Sequence, residues 1–241
     1  MMRLLITLFS VFAFVFPLQG SAMSFEEQLL HTNFSPVARF TELKGQISPK
    51  VLKLAMSGYR TLKEQGKVLR DGILTIIDFD KPSCSERLYV IDVSEGRLLY
   101  SGLVAHGSGS GALFAHSFSN DPGSHQSSLG FYTTGDSYDG KHGYSLRLFG
   151  MEPGINDNAE TRSIVIHGAD YVSHDYVRRH GRLGRSQGCP AISFDSFLEI
   201  IDLIKGGSCL FIYHGDRGYA FKSSIINPGL ARMPSGIDPF S

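Results

Sequence analysis

The sequence predicts a mostly β or α+β domain with a short helical extension on its N-terminal side. Three observations predict it. Apolar and β-branched runs of five to nine residues recur from Ile73 onward. A single amphipathic helical pattern, Phe194 to Lys205, interrupts them, which is not the strand–helix alternation of a doubly wound parallel sheet. Glycine contributes 27 of the 241 residues while charged residues reach only 19%; ordinary chains hold roughly 7% Gly and about 25% charge, so this is the composition of a loop-rich β protein. Hydrophobic residues at 42% exclude a disordered chain. Lys+Arg and Asp+Glu are equal at 23 each, so charge gives no reason to expect nucleic acid or an anionic surface as partner.

Residues 1–22 have the layout of a secretory signal peptide. Arg3 is the positive start, Leu4 to Leu18 is a 15-residue apolar stretch, and Gly20-Ser21-Ala22 is a small-residue exit. The stretch falls short of the roughly 20 residues needed to span a bilayer, and no later segment reaches that length, so no integral membrane span is expected in the mature chain. The alternative is a retained anchor. Residues 23–70 read as the helical extension. Ser24 to His31 is a short helix. Ser48-Pro49 opens a stronger one, with Val51, Leu52, Ala55, Tyr59 and Leu62 at helical spacing and Gly66 as its stop.

The main domain is expected over 71–222. Ile73–Phe79 and Arg87–Val93 are strands, and Glu95-Gly96 turns the chain into Arg97–Ala105 as a hairpin. His106 to Gln126 is a long Gly/Ser/His/Asn loop, and long ordered loops in compact domains are usually functional. Ser128–Thr134, Tyr144–Phe149 and Ser163–His167 are further strands. The helix 194–205 has Ser193 at its cap and Gly206-Gly207 at its end, and Ser208–Tyr213 is the last strand. Residues 223–241 are expected as extended chain. Cys84 and Cys209 either pair, as an oxidising compartment permits, or are buried small apolar residues. Cys189 is then the odd thiol of an exported protein.

Two runs carry chemistry. Ser163-Ile-Val-Ile-His167-Gly168 is a buried-looking strand that delivers a His followed by Gly. Gly184-Arg185-Ser186-Gln187-Gly188-Cys189 delivers a Cys 22 residues later in a polar, Gly-rich turn, with a helix expected just after it. A free thiol has a pKa of about 8.5 and is mostly unionised at neutral pH, so a neighbouring imidazole that takes its proton makes it a nucleophile. Attack on an amide carbonyl creates an oxyanion. The N–H groups of Gly188 and Cys189 are the candidate donors for it. The imidazole needs an orienting acceptor, either a carbonyl near Gly168 or the Ser186 hydroxyl.

These residues resemble the L,D-transpeptidase catalytic domain (YkuD-like) family of bacterial cell-wall enzymes, whose commoner motif pairs His-Gly with Ser-His-Gly-Cys, an apolar residue, and Arg or Asn. This chain departs from it at Gln187 and at Pro190-Ala191. It is closer to a divergent murein branch whose motif ends Arg-Ser-x-Gly-Cys-Pro-Ala. Phe118-Ser119-Asn120, Ser127-Ser128-Leu129-Gly130 and Gly181-Arg182-Leu183-Gly184-Arg185 fit that branch. The resemblance spans roughly 70–215 and implies a mixed β-sandwich-like domain with Cys189 and His167 in one cleft. It implies that Cys189 attacks a peptidoglycan stem peptide, that His167 serves as base and then acid, and that an amine takes the acyl group. A carboxypeptidase or amidase using the same pair for hydrolysis is the alternative. Stem peptides, and a wall-attached protein as acceptor, are the implied partners, and the periplasm or cell envelope the implied location.

No metal or organic cofactor is implied, and the loop histidines 106, 116, 125 and 142 show no compact metal-ligand spacing. Among neighbouring residues, Arg185 is expected to hold a stem carboxylate, Tyr144 to cap the cleft, and Ser128 and Gly130 to shape its wall. Asn120 is expected to fix the long loop through side-chain-to-backbone bonds. A decayed wall-binding module has no reason to keep both His167 and Cys189, and a papain-like peptidase would place Cys before His.

Overall fold

The computed structural model describes Leu43 and residues 45–227; the expected signal peptide, the helix over Ser24–His31 and the tail beyond 227 lie outside them. Helix α1 (Pro49–Glu64) begins as expected, with Pro in its first turn, although the Ser48 side chain makes no cap bond. Its apolar stripe faces inward: Val51, Leu52, Ala55, Met56, Tyr59 and Leu62 are all buried. A Cβ on Gly58 would lie 2.0 Å from Phe131 Cζ, so the helix backbone presses directly on a ring. That ring stacks on Phe211 at 4.2 Å. The helical stretch therefore shares the core of the sheet.

Nine strands follow: β1 (Ile73–Asp78), β2 (Leu88–Asp92), β3 (Arg97–Gly102), β4 (Val104–Ala105), β5 (Gly130–Gly140), β6 (Gly143–Gly150), β7 (Val165–Ala169), β8 (Ala191–Ser193) and β9 (Cys209–Tyr213). They form one sheet in the order β3-β2-β1-β9-β5-β6-β7-β8-β4. All pairs are antiparallel except β1 with β9 and β7 with β8. The mostly β architecture is the predicted one, with a detail the apolar pattern hid. The single run expected over 97–105 is two strands at opposite ends of the order, β3 and β4, separated by Leu103 alone. Three consecutive residues span at most about 7 Å. The two edges of the sheet must therefore lie side by side, so the sheet curls round on itself.

Other boundaries move for identifiable reasons. The expected helix over 194–205 is shorter, α3 (Phe197–Ile204), with Ser196 in the cap position. Ser193 instead belongs to β8, and its hydroxyl accepts from Asp195 N–H at 3.3 Å. So a short strand, not a helix, follows Cys189. It pairs with β7 and joins the two chemistry-bearing segments. Two further helices carried no apolar period. In α2 (His174–His180) no residue is buried; Ser173 caps its start and Gly181, in the left-handed region, ends it. In α4 (Arg217–Lys222) Asp216 accepts from Gly218 N–H. The α4 segment is anchored by the buried Glu152, which accepts from Tyr219 Oη at 3.1 Å and from Ser223 Oγ. All three cysteines are free thiols, so Cys84 and Cys209 are not paired. Cys209 is sealed in β9, and burial pushes its thiol far up. No helix of the described residues is long and apolar enough to cross a membrane.

Candidate active site

His167 stands on β7 and Cys189 precedes β8 by two residues. Because His167 pairs with Ala191 in parallel register, the strand pairing brings the two segments together although 22 residues separate them in sequence. Both open into a cleft of about 840 Å³, which His142, Arg162, Tyr171 and Arg185 also line.

The imidazole is fixed by its own strand. His167 Nδ1–H donates to Gly168 O at 2.9 Å, which leaves Nε2 as the lone-pair nitrogen. Of the two acceptors expected for it, the Gly168 carbonyl serves. Burial lowers the His167 pKa, partly offset by the Gly168 bond and reinforced by His142, so the ring is a neutral base. His142, in the β5–β6 turn, stacks on it with centroids 4.5 Å apart.

The Ser186 hydroxyl orients the cysteine turn instead. It donates to Cys189 O at 2.6 Å and accepts from Gly188 N–H at 3.1 Å. That second bond corrects the expected oxyanion role of Gly188, whose amide is already committed. Gly188 has φ +123°, and a Cβ there would crowd Gln126 O and Ile164 Cδ1 at 3.0 Å each. Glycine is therefore required at this position both for conformation and for space. Ser127 Oγ donates to Gly188 O and accepts from Gly107 N–H, both at 3.0 Å.

Cys189 is half-buried, and its Sγ–H donates to Ser163 O at 3.6 Å. Ser163 has φ +54°, a left-handed conformation that a non-glycine residue seldom adopts. Burial pushes the thiol pKa up. The backbone amides of Val165 and of Cys189 itself, and the Arg162 guanidinium, pull the other way.

The expected binding residues divide. Arg185 lines the cleft, exposed, with Nη1 donating to Gly111 O at 3.2 Å. Tyr144 does not cap the cleft: its hydroxyl donates to Asp202 on α3 at 2.7 Å, because β6 turns that side chain towards the helix. Ser128 and Gly130 do not form the wall either. Ser128 is buried, bonded to Tyr132 Oη at 2.7 Å. Gly130 is needed where a Cβ would meet Glu152 Oε2 at 2.2 Å. Asn120 does fix the long loop, accepting from Asn158 N–H and donating to Asp157.

Two supports lay outside the sequence reading. Arg162 lines the cleft and grips the long loop. Arg87 is wholly buried, donating to Val104 O at 2.7 Å and to His106 Nδ1 at 2.8 Å. His106 O in turn accepts from Ser186 N–H, so a buried Arg–His pair underpins the cysteine turn. Arg162 sits in a polar stretch with no local pattern and Arg87 at the mouth of an expected strand, so only the long-range contacts reveal their roles. Among the described residues, no group of three or more His, Cys, Asp or Glu is placed to hold a metal ion.

A family profile described as the L,D-transpeptidase catalytic domain matches residues 43–213. The chain belongs to that family. The L,D-transpeptidase domain thus begins before α1, in keeping with the packing of that helix on Phe131. Solved structures similar to it include an L,D-transpeptidase from Mycobacterium smegmatis, at 14% identity and TM-score 0.37 over 59% of each chain. Another is the helical cell shape determining protein of Campylobacter jejuni, at 11% identity and TM-score 0.41 over 73% of this chain and 62% of that one. A third is an L,D-transpeptidase from Stackebrandtia nassauensis, at 13% identity and TM-score 0.37 over 69% of each. The chain spans 59% of the length of the first of these. A comparison with curated proteins gave no match.

Proposed function

We propose that this protein is a cell-envelope peptidoglycan L,D-transpeptidase with Cys189 as nucleophile and His167 as general base and acid. The observation that carries this reading is the shared cleft, in which a neutral imidazole with Nδ1 locked by Gly168 O faces the same space as a half-buried thiol. In the proposed cycle the Cys189 proton passes to His167 Nε2 and the sulfur adds to the carbonyl between the third and fourth stem residues. The oxyanion takes a hydrogen bond from the Cys189 N–H, since the Gly188 amide is occupied. Collapse breaks the amide bond; His167 protonates the leaving amine, and a thioester remains. An acceptor amine, on another stem or a wall-attached protein, then attacks the thioester, gives its proton to His167 and frees the cysteine. Arg185 is the proposed contact for a stem carboxylate, and export through residues 1–22 would bring the enzyme to its substrate.

Incubation with purified disaccharide-tetrapeptide, read by mass with Cys189→Ala alongside, tests the reading. A cross-linked dimer lacking one terminal D-alanine, formed only by the Cys189 enzyme, is the expected product. Tripeptide alone would assign the site to hydrolysis. Unchanged substrate in both samples would refute this donor.

A further inference from the structure

The nucleophile sits in surroundings that oppose its ionisation. Cys189 is half-buried and its sulfur faces the Ser163 carbonyl, while His167 is buried and best kept neutral. An ion pair made from these two groups alone carries two desolvation costs. The cleft holds other titratable groups. Asp170 and Tyr171 directly follow β7. Lys141 and His142 come from the β5–β6 turn, and His125 and Arg185 from the two long loops. The basic groups Lys141 and Arg185 are exposed.

Arg162 differs from them in how it is held. It lies on the segment between β6 and β7, half-buried, immediately before the Ser163 that meets the thiol. Nη1 donates to Ser119 O at 2.7 Å and to Ser128 Oγ at 3.4 Å; Nη2 donates to Gln126 O at 2.5 Å and to Ser124 Oγ at 3.3 Å. These acceptors all belong to the long loop. They are neutral oxygens, and among the described residues no carboxylate is paired with this guanidinium. Nη2 would touch a Cβ on Gly188, the residue before the nucleophile, at 3.4 Å. The long loop thus pins a cation against the cysteine turn, with the Asp121 carboxylate of the same loop acting on it only from beyond ion-pair distance. A charge already fixed in place stabilises a developing anion without reorganising first.

We propose that Arg162 is the fixed cation that stabilises the Cys189 thiolate when the thiol proton leaves for His167, and that the long loop over 119–128 exists in part to hold it there. This deepens the function proposed above and rests on Cys189 being the nucleophile. It also gives a role to a loop that the sequence marked as functional by its length alone.

The test reads ionisation rather than turnover. The full chain, as wild type and as Arg162→Lys, Arg162→Gln and Arg162→Met, is alkylated with iodoacetamide across a pH series, and each cysteine is followed by the mass of its peptide. Cys84 is the internal reference, and Cys209, sealed in the sheet, reports unfolding. The expected result is an upward shift of about one pH unit in the Cys189 midpoint for both neutral variants, with roughly tenfold slower labelling at pH 7. Arg162→Lys should stay within about threefold of wild type, and Cys84 should not move in any variant. Equal midpoints in wild type and in a neutral variant that keeps Cys209 protected would overturn the proposal. So would a lysine variant that shifts as far as the neutral ones, or a shift seen only where Cys209 also labels, since that is the behaviour of a structural clamp. Because alkylation needs no stem peptide, failure of the transpeptidase reading would leave this result unaffected.

Discussion

Lowering the pH from 7 to 4 is expected to weaken the fold through His106. This ring is fully buried. Its Nδ1 accepts from Arg87 Nη2 at 2.8 Å, and Nε2–H donates to Gly111 O at 3.3 Å. Both nitrogens are used, and the pair fits only a neutral ring. Burial first, then the charges of Arg87, Arg185 and Arg182, push its pKa from 6.5 to about 4. The sign follows from which state binds the proton. Above pH 6.5 neither state does, and His106 contributes no pH dependence. Between 6.5 and about 4 the unfolded chain protonates while the folded one resists, so stability falls by about 1.4 kcal/mol per pH unit. Below that both states are protonated and the loss is complete, at about 3 kcal/mol.

Other buried groups titrate too. Burial raises the carboxyls of Asp78 and Glu152, which gives the opposite slope, and lowers His167, which adds to the same slope. A difference measurement removes them. Urea unfolding of wild type and His106→Gln at half-unit steps from pH 7.5 to 4 isolates the term. The difference in unfolding free energy should shrink or reverse by about 2 kcal/mol between pH 6.5 and 5, and run flat above 6.5. A difference that is flat across the whole range would refute the reasoning and mean that His106 can protonate in the folded state.

Two further outcomes follow from the same contacts. Gly58→Ala forces a methyl into the space held by the Phe131 ring; overpacking of this kind costs about 1–3 kcal/mol, so the thermal midpoint should drop by roughly 3–10 °C, read by circular dichroism. The acid limb of the pH–rate profile should lie below the ordinary imidazole value, because burial and His142 lower His167 and only the neutral ring is a base. His142→Ala should move that limb upward, and an unmoved limb would show that the stacked ring exerts no electrostatic effect.

Much of the sheet was legible in the sequence because its signals are local. β1, β2 and β9 are mostly apolar runs, and each lies within two residues of its expected place. The start of α1 was marked by Pro49 and a helical stripe. The helix α2 was not legible because it buries nothing. The β3–β4 break was not, because one apolar run can serve two sheet edges when the sheet curls.

The sequence by itself determined the family resemblance and named the candidate pair for the proposed chemistry, because His167-Gly168 and Ser186-x-Gly188-Cys189 are short motifs that can be read without their distant partners. Tertiary structure decided what each neighbour does. It committed the Gly188 amide to Ser186, turned Tyr144 to α3, sank Ser128 into the interior and placed Arg162 against the cysteine turn. The physical reason is the range of the interactions involved. Helix and strand patterns are set by side chains a few residues apart. Where a polar group finds its hydrogen-bond partner, and which charge stands beside a buried thiol, are set by contacts across tens of residues that only the folded chain brings together.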